Sequence, residues 1–413
     1  MKTLKRGKLW LVVMTAVFSC ACLWSITRAA ESFKIGYCIS LAGVYAALGR
    51  DLRDGLELYV EQIGRKAGDQ QIEVLERNIG SNQVSLALDM AYELIEKYKV
   101  NVLAGVVDSG TAYRVAELAT EHQTPFVISN AGADDLTQRK ASPFIVRVSF
   151  GSSGGSHPLG EWAYEQGFRK AVAFGADNAA GYEQVGGICR TFTKRGGKII
   201  QEIWTPLGTQ DFKPFLNQIN RDADVLFVFL AGGDAERFVK QYAEFGLKPK
   251  IAVVAKGFLV DENVLSKEGP MAEGIVSESH WSFLLDNPEN ARFKTAFFKK
   301  YQRHPTLYAE QGYVTGMLIA EALKKTRGNV RGKELVQVMR SLELKAPRGT
   351  ITFDDYGAPV QNYYIRKVRL VDGEWHNAIE KNYPAVSQFW TWKPEEFLAM
   401  PSYTAMKGKW VTP

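Results

Sequence analysis

The sequence predicts an α/β protein of two doubly wound lobes, each built around a mostly parallel sheet that helices cover. Three observations support this fold class. The chain has 413 residues, of which 46% are hydrophobic, so it can form two large cores. After residue 31, short apolar strands alternate with amphipathic helices. The alternation restarts after the loop GSSGGSH at 151–157, which gives two series of similar length.

The first series begins with the strand FKIGYCIS at 33–40 and a helix over 50–64, whose apolar residues recur at helical spacing. A second amphipathic helix covers 83–98, and a third follows residue 108. Four further strands complete this series: QIEVLERN, NVLAGV, PFVIS and FIVRVSF. The second series repeats the pattern with KAVAFGAD, GKIIQEIW, DVLFVFL and IAVVAK, separated by helices at 182–195, 211–220 and 234–246.

The chain continues beyond the second series. The strand GIVSESHW is followed by helices at 288–301, 306–325 and 332–341, and then by the strand GTITFD. A hairpin over 363–379 has Asp372 and Gly373 at its tight turn. These late elements can complete both sheets, so we expect the chain to pass between the lobes more than once. The aromatic C-terminal segment 389–403 is expected to pack on a lobe surface, with a loosely ordered tail as the alternative.

Residues 1–30 have the pattern of a secretory signal peptide, with a basic start, an apolar run and small residues before a polar segment. A permanent membrane anchor and a lipoprotein attached through Cys20 are the alternatives. Cleavage would lower the formal net charge from +6 to +1, because the segment carries five Lys and Arg residues and no acid. No basic stripe with interleaved aromatic residues follows, so nucleic acid is not expected as a partner.

Two cysteines, Cys38 and Cys189, remain after cleavage. Cys38 ends the first strand, whereas Cys189 lies in a predicted helix of the second series. We expect both thiols to be buried and unpaired, although an oxidising compartment would also permit a disulfide.

Two neighbouring strands of the first series end in segments with little side-chain bulk. Ser109 and Gly110 follow one strand, and Asn130, Ala131 and Gly132 follow the next. Ligands bind at the carboxyl ends of such strands, where helix starts offer unpaired N–H groups to an anion. The two segments together predict a carboxylate site, whereas each alone would also suit ordinary helix capping or a turn.

Four stretches, 33–64, 109–137, 226–248 and 287–323, resemble the type I periplasmic solute-binding proteins of ABC importers, most of all the leucine/isoleucine/valine receptors. The resemblance implies two α/β lobes joined by three crossing strands, which close on a ligand like a hinged clamp. It also implies a periplasmic, monomeric receptor that serves an ABC permease with a separate ATPase. The first lobe would comprise 31–149 and 280–354, and the second lobe 150–279 and 355–413.

The resemblance also bears on the ligand. In the amino-acid receptors, loops matched here by Ser109 and by 130–133 hold the ligand carboxylate, and a second-lobe acid holds its ammonium group. At the matching place this chain has Lys256, Gly257 and Phe258, and Asp261 is expected to cap the next helix. The anion-binding features are therefore present, and the acid is missing. Another loop, where the family tends to place an aromatic residue, has Asn178 and Ala180.

Five side chains are expected to reach the cleft: Tyr45, Phe150, Phe258, His280 and Trp281. This set resembles the branch of the family that takes up aromatic carboxylates such as benzoate and phenylpropenoid derivatives. The alternatives are that these side chains pack in the hinge or core, and that the chain is an amino-acid receptor in which Asp177 or Asp234 replaces the missing acid.

One short pattern in the sequence is typical of an enzyme class, the α/β hydrolases. GSSGG at 151–155 matches the G-x-S-x-G pattern of α/β hydrolases, but the helix is expected to begin only at Pro158, so Ser153 would lie in a flexible loop. The five histidines are scattered, and neither a catalytic residue, a metal site nor a cofactor is predicted. A sensory domain built on the same clamp is a second non-enzymatic alternative.

Overall fold

The computed structural model describes residues 32–328 and 330–411. The predicted signal peptide, 1–30, lies outside these residues. None of the helices within them is both long and apolar enough to cross a bilayer.

The chain forms two separate sheets. The first has the strand order β2-β3-β1-β4-β5-β6 and is parallel except for β2. Its strands are β1 (Phe33–Ile39), β2 (Lys66–Ala67), β3 (Gln70–Asn78), β4 (Val102–Gly105), β5 (Phe126–Ile128) and β6 (Ile145–Arg147).

The second sheet has the order β12-β13-β14-β11-β10-β9-β7-β8, with β15 paired to β14. Its strands from β7 to β11 are parallel, and the later strands are antiparallel additions. They are β7 (Lys170–Ala176), β8 (Lys198–Thr205), β9 (Val225–Phe229), β10 (Ala252–Lys256), β11 (Val276–Ser279), β12 (Leu344–Ala346), β13 (Gly349–Phe353), β14 (Pro359–Val371) and β15 (Glu374–Val386).

Twelve α-helices accompany the sheets in the described residues: α1 (Ala46–Gln62), α2 (Val84–Glu96), α3 (Ser109–Glu121), α4 (Ser156–Glu165), α5 (Ala179–Lys194), α6 (Lys213–Gln218), α7 (Gly233–Glu244), α8 (Glu262–Glu268), α9 (Pro288–Tyr301), α10 (Leu307–Thr326), α11 (Gly332–Arg340) and α12 (Pro394–Ala399). The predicted α/β class with two mostly parallel sheets is confirmed. The hairpin turn is confirmed as well, since Asp372 and Gly373 both have positive φ, as a type I′ turn requires.

The chain passes between the two sheets after β6 and after β11, and it returns to the second sheet at β12. Our division assigns β12 and β13 to the first lobe, yet they pair in series with β14 of the second sheet. Arg348, in the turn between them, instead bonds to Glu310 of α10. This region therefore belongs to the connection between the lobes, and the boundary at 354 stays a prediction.

The segment GSSGG is a buried turn and not the flexible loop that we expected. Residues 151–156 are all buried, and α4 begins at Ser156, two residues before Pro158. Space here is limited, since a Cβ at Gly155 would lie 2.3 Å from the Glu278 carboxylate. The segment between β6 and α4 therefore ends in a packed turn, in which Ser153 is fully buried.

The C-terminal segment packs on the protein surface, as we expected, but it contacts both lobes and not one. Gln388 exchanges hydrogen bonds with Thr137, and Arg139 donates to the backbone oxygens of Leu398 and Met400. Farther along, the hydroxyl of Tyr403 lies 2.6 Å from Nε2 of His157. Cys38 and Cys189 are buried and unpaired, as predicted.

Helices α1 and α10 approach each other closely beside the first sheet. A Cβ at Gly312 would lie 1.9 Å from the backbone oxygen of Leu52, and one at Gly55 would lie 1.9 Å from that of Ala309. Backbone atoms cannot move aside as a side-chain end can. The position of α10, which leads into the cleft, therefore depends on these glycines.

We predict that Gly312→Ala lowers the free energy of unfolding by about 1–3 kcal/mol, because the added methyl group overpacks a backbone contact. Gly316→Ala, one turn along the same helix, is the matched control. Its new Cβ would meet side-chain atoms of Tyr59 and Leu56 at 3.2–3.4 Å, which can adjust. Urea denaturation checks both variants, and equal effects from the two would contradict the close-packing account.

Candidate functional site

A cavity of about 410 Å³ opens between the two sheets, where parallel strands end and helices begin. Both sheets contribute to its wall, as expected for a ligand site in an α/β fold. Nine of the twelve residues that we predicted from the sequence line it, so the loops at the strand ends do converge. They are Tyr45, Ser109, Gly110, Asn130, Gly132, Phe150, Asn178, Ala180 and Phe258.

The start of α3 forms the part of the cavity best suited to an anion. Asp108 caps the helix by accepting a hydrogen bond from the Thr111 amide at 2.8 Å. The amides of Ser109 and Gly110, in the first turn, have no acceptor within the helix. The Ser109 hydroxyl oxygen accepts from the Ala133 amide at 3.2 Å, which leaves its own proton free to donate. Two amides and one hydroxyl are therefore available to a carboxylate.

The loop after β5 contributes Gly132 but not Ala131. The Ala131 amide donates to the backbone oxygen of Val106 at 3.2 Å, and its side chain is buried, so neither reaches the cavity. The cause is that the β4–β5 ladder continues past the strand ends. Val106 itself has a φ of 67°, a strained value for a β-branched residue, at the point where the chain turns toward α3. At Gly132, a Cβ would lie 2.4 Å from the Phe150 ring.

Four aromatic side chains form one wall of the cavity. The ring of Phe258 lies 5.2 Å from that of Phe150, 5.9 Å from Phe229 and 6.2 Å from Tyr308, centroid to centroid. We did not predict Phe229 or Tyr308. Phe229 ends β9, so the rule that selects strand ends could have found it. Tyr308 depends on which face α10 turns to the cavity, and the sequence carries no local signal for that.

His280 lies behind this wall and does not line the cavity, contrary to our expectation. Its ring stacks on Phe150 with a centroid distance of 5.7 Å and an interplanar angle of 21°. Its Nε2 lies 3.2 Å from the Gln311 side-chain nitrogen, and the Gln311 oxygen accepts from Asn130 at 2.7 Å. Burial lowers the pKa of His280 well below its usual value, so the ring is neutral. It supports Phe150 and, through Gln311, orients Asn130.

Trp281 is also absent from the cavity. It is fully buried, its indole N–H donates to Asn290 at 2.9 Å, and its ring packs edge-on against Phe293. Successive residues at the end of an extended strand point to opposite sides. Because His280 faces Phe150, Trp281 faces α9.

The second-lobe wall offers neutral amides rather than an acid. Asn178 caps α5 by accepting from the Gly181 amide at 2.9 Å, and Gln184 lies one turn further along. Nearby charged groups are already paired: Lys256 with Glu278, Asp177 with Lys407, and Asp234 with Arg237. The Lys407 ammonium group and the Tyr182 hydroxyl lower the pKa of Asp177. Neither Asp177 nor Asp234 lines the cavity.

The acidic residue that does line the cavity is Asp108, in the first lobe. Its second carboxylate oxygen is buried and has no hydrogen-bond partner in residues 32–328 and 330–411. The Asp108 carboxylate lies beside the Ser109 and Gly110 donors that we assign to anion binding. Its charge therefore affects which ligand can bind there.

A buried carboxyl pair joins the lobes next to the cavity. The Asp134 amide donates to the Glu183 carboxylate at 3.2 Å, and Asp134 accepts from the Ser153 amide at 3.0 Å. Burial raises the pKa of both side chains, that of Glu183 well above its usual value, and the Asp134 carboxyl raises the pKa of Glu183 further. The buried Arg147 guanidinium lies near this pair and opposes the shifts, but desolvation prevails.

Several known proteins are similar to this chain over most of its length. Residues 32–374 match the model of a family described as periplasmic binding protein. A Leu/Ile/Val-binding protein homolog 6 from Brucella abortus is 29% identical over 369 residues, which cover 88% of this chain and 93% of that protein.

Two solved structures from Rhodopseudomonas palustris are similar over most of their length. A solute-binding protein of an ABC transporter from strain BisB5, in complex with 3,4-dihydroxybenzoic acid, is 35% identical with a TM-score of 0.82 and covers 86% of this chain and 98% of that one. Another solute-binding protein, in complex with benzoate, is 31% identical with a TM-score of 0.79 and covers the same shares.

We predict that Glu183→Gln stabilises the protein at pH 8 and that the gain shrinks toward pH 5. A carboxyl whose pKa is raised in the folded state favours folding only while it is protonated, and this contribution is lost as pH rises through its folded pKa. Glutamine keeps an acceptor for the Asp134 amide without the buried charge. Thermal melting should show a Tm higher by about 2 °C or more at pH 8.

The control for this variant is Glu117→Gln, which removes an exposed carboxylate paired with Arg114 on α3. Its Tm should change little, and equally at both pH values. A Glu183→Gln variant that is less stable than the wild type at pH 8 would show that the ionised pair is favourable.

Proposed function

Given that this chain belongs to the periplasmic binding protein family, as an extracytoplasmic solute-binding protein of ABC transporters, we propose that its solute is an aromatic carboxylate. The observation that carries the proposal is the asymmetry of the cavity. Hydrogen-bond donors at the start of α3 suit a carboxylate, whereas aromatic rings, among them Phe150 and Phe258, and neutral amides line other parts of the cavity. The fold and family are those of receptors rather than enzymes.

Free-energy magnitudes favour a ring over an amino acid. Burying an ammonium group that is not paired with an acid costs several kcal/mol, and contact with aromatic faces recovers only about 0.5–2 kcal/mol. The acid that lines the cavity within the described residues, Asp108, already uses one carboxylate oxygen to cap α3. A ring without that group avoids the cost and gains about 25 cal/mol for each Å² of apolar surface that Phe150, Phe258, Phe229 and Tyr308 cover. The cavity volume lies within the range of small-molecule sites.

The relatives support this ligand class, and their names also point to a second candidate. Similar solute-binding proteins are described in complexes with benzoate, 3,4-dihydroxybenzoic acid and p-hydroxybenzoic acid. Curated relatives carry the name Leu/Ile/Val-binding protein homolog, which supports a branched-chain amino-acid receptor as the second candidate. Asp108 is the structural observation in favour of that candidate, since its carboxylate could face an ammonium group.

The remaining parts of the proposal follow from the family. The chain would be exported by its N-terminal signal peptide, act as a periplasmic monomer, and close its two lobes on the solute. It would then deliver the solute to an ABC permease that a separate ATPase drives.

A matched ligand pair tests the proposal. Phenylalanine and 3-phenylpropionate differ only in the α-ammonium group, so we expect 3-phenylpropionate to bind more than 100-fold more tightly, the equivalent of about 3 kcal/mol. Benzoate and coumarate should also bind, and leucine and isoleucine should not. Isothermal titration calorimetry measures all of them, and tighter binding of leucine or phenylalanine would favour the amino-acid receptor.

Asp108→Asn separates the two candidates further, because asparagine keeps the helix cap. If the solute is an aromatic acid, the variant should bind it as tightly as the wild type or several-fold more tightly, since a nearby like charge is removed. An amino-acid receptor would instead lose its only cavity acid within the described residues, and its affinity would fall.

We predict that Ser109→Ala weakens binding of the aromatic acid by about 1.5–3 kcal/mol, because one charge-assisted hydrogen bond is lost. The methyl ester of the same acid is the matched ligand control. It should bind weakly to the wild type and lose little further affinity in the variant. An unchanged affinity of Ser109→Ala for the free acid would place the carboxylate elsewhere.

A further inference from the structure

Gln184 is the polar residue of the second-lobe wall whose role is least explained by the fold. It lies on α5, is only 2% exposed and lines the cavity. Its amide oxygen is buried and has no hydrogen-bond partner in the described parts of the chain. Asn178, the other amide of this wall, already uses its oxygen to cap α5.

A buried amide without a partner costs free energy, and native proteins keep few of them. The helix does not need it, because Gln184 makes no cap and no hydrogen bond to a neighbouring turn. A ligand group that reaches α5 would supply the missing partner. From this we infer that Gln184 hydrogen-bonds a hydroxyl group on the ring of the solute, which makes the preferred ligand a hydroxylated aromatic acid. This inference rests on the function proposed above.

The surroundings of Gln184 exclude charged groups on that end of the ligand. A second carboxylate would need a cation, and the cavity lining contains no Lys or Arg in the part of the chain that the structure describes. An ammonium group would need an acid, and the second-lobe wall presents none among residues 32–328 and 330–411. A hydroxyl is neutral, and it can both donate to the amide oxygen and accept from the amide nitrogen.

The arrangement places the two polar ends of the ligand in different lobes. Ser109 and Gly110 face the carboxylate from the first lobe, and Gln184 faces the hydroxyl from the second. A solute with both groups would therefore contact both lobes by hydrogen bonds, whereas benzoate would leave the Gln184 amide unpaired. Sites built around a substrate hydroxyl discriminate strongly against analogues that lack it.

Calorimetry on the full mature chain tests this inference with benzoate, 3-hydroxybenzoate, 4-hydroxybenzoate and 3,4-dihydroxybenzoate. We expect at least one hydroxylated acid to bind tenfold or more tightly than benzoate. Gln184→Met, which keeps the length of the side chain without the amide, should reduce that preference to less than threefold by weakening only the hydroxylated acid. Gln184→Leu serves as a second apolar variant if the first fails to fold.

Gln218→Met, on the surface helix α6, is the control and should keep the wild-type preference. Benzoate binding as tightly as every hydroxylated acid would overturn the inference and leave the proposed function intact. So would an equal loss for benzoate and the hydroxylated acid in Gln184→Met, since Gln184 would then only shape the cavity. If no aromatic acid binds to the wild type, the inference and the proposed function both fail.

Discussion

One buried guanidinium group fixes the junction between the lobes, and the site depends on that junction. Arg348 donates to Glu310 of α10, to the backbone oxygens of Val148 and Ser149, and to the side-chain oxygen of Gln361 on β14. A fully buried arginine is tolerated only when its charge and donors are satisfied, and here Glu310 and the backbone oxygens satisfy them. One side chain thereby holds the first connection between the lobes, the start of α10 and the long strand β14.

The binding wall is built directly on this junction. Phe150 follows the Ser149 backbone that Arg348 holds, and Tyr308 lies two residues before Glu310 on the same helix. The neutral His280 ring supports Phe150 from behind. Since the aromatic surface and the helix are fixed together, a ring can bind to a surface that is already formed, which lowers the entropic cost of binding.

How much the sequence could predict depends on how local each feature is. Strand ends that lead into small residues and helix starts are local, so Ser109, Gly110 and Gly132 could be placed at the cavity. The direction of a side chain near a strand end depends on register with its neighbours. For that reason Ala131 and Trp281 were wrongly placed, although their neighbours Gly132 and His280 do lie in or directly behind the site.

Contacts between segments that are far apart in the chain could not be predicted from the sequence. The Asp134–Glu183 pair joins residues 49 positions apart, and the local sequence of neither segment indicates a buried acid.

The structure of a complex with 4-hydroxybenzoate would test the central claim most directly. We expect the carboxylate within hydrogen-bond distance of the Ser109 hydroxyl and the Gly110 amide, with the ring against Phe150 and Phe258. A carboxylate bound to the second lobe, or a ring outside the aromatic wall, would contradict the account.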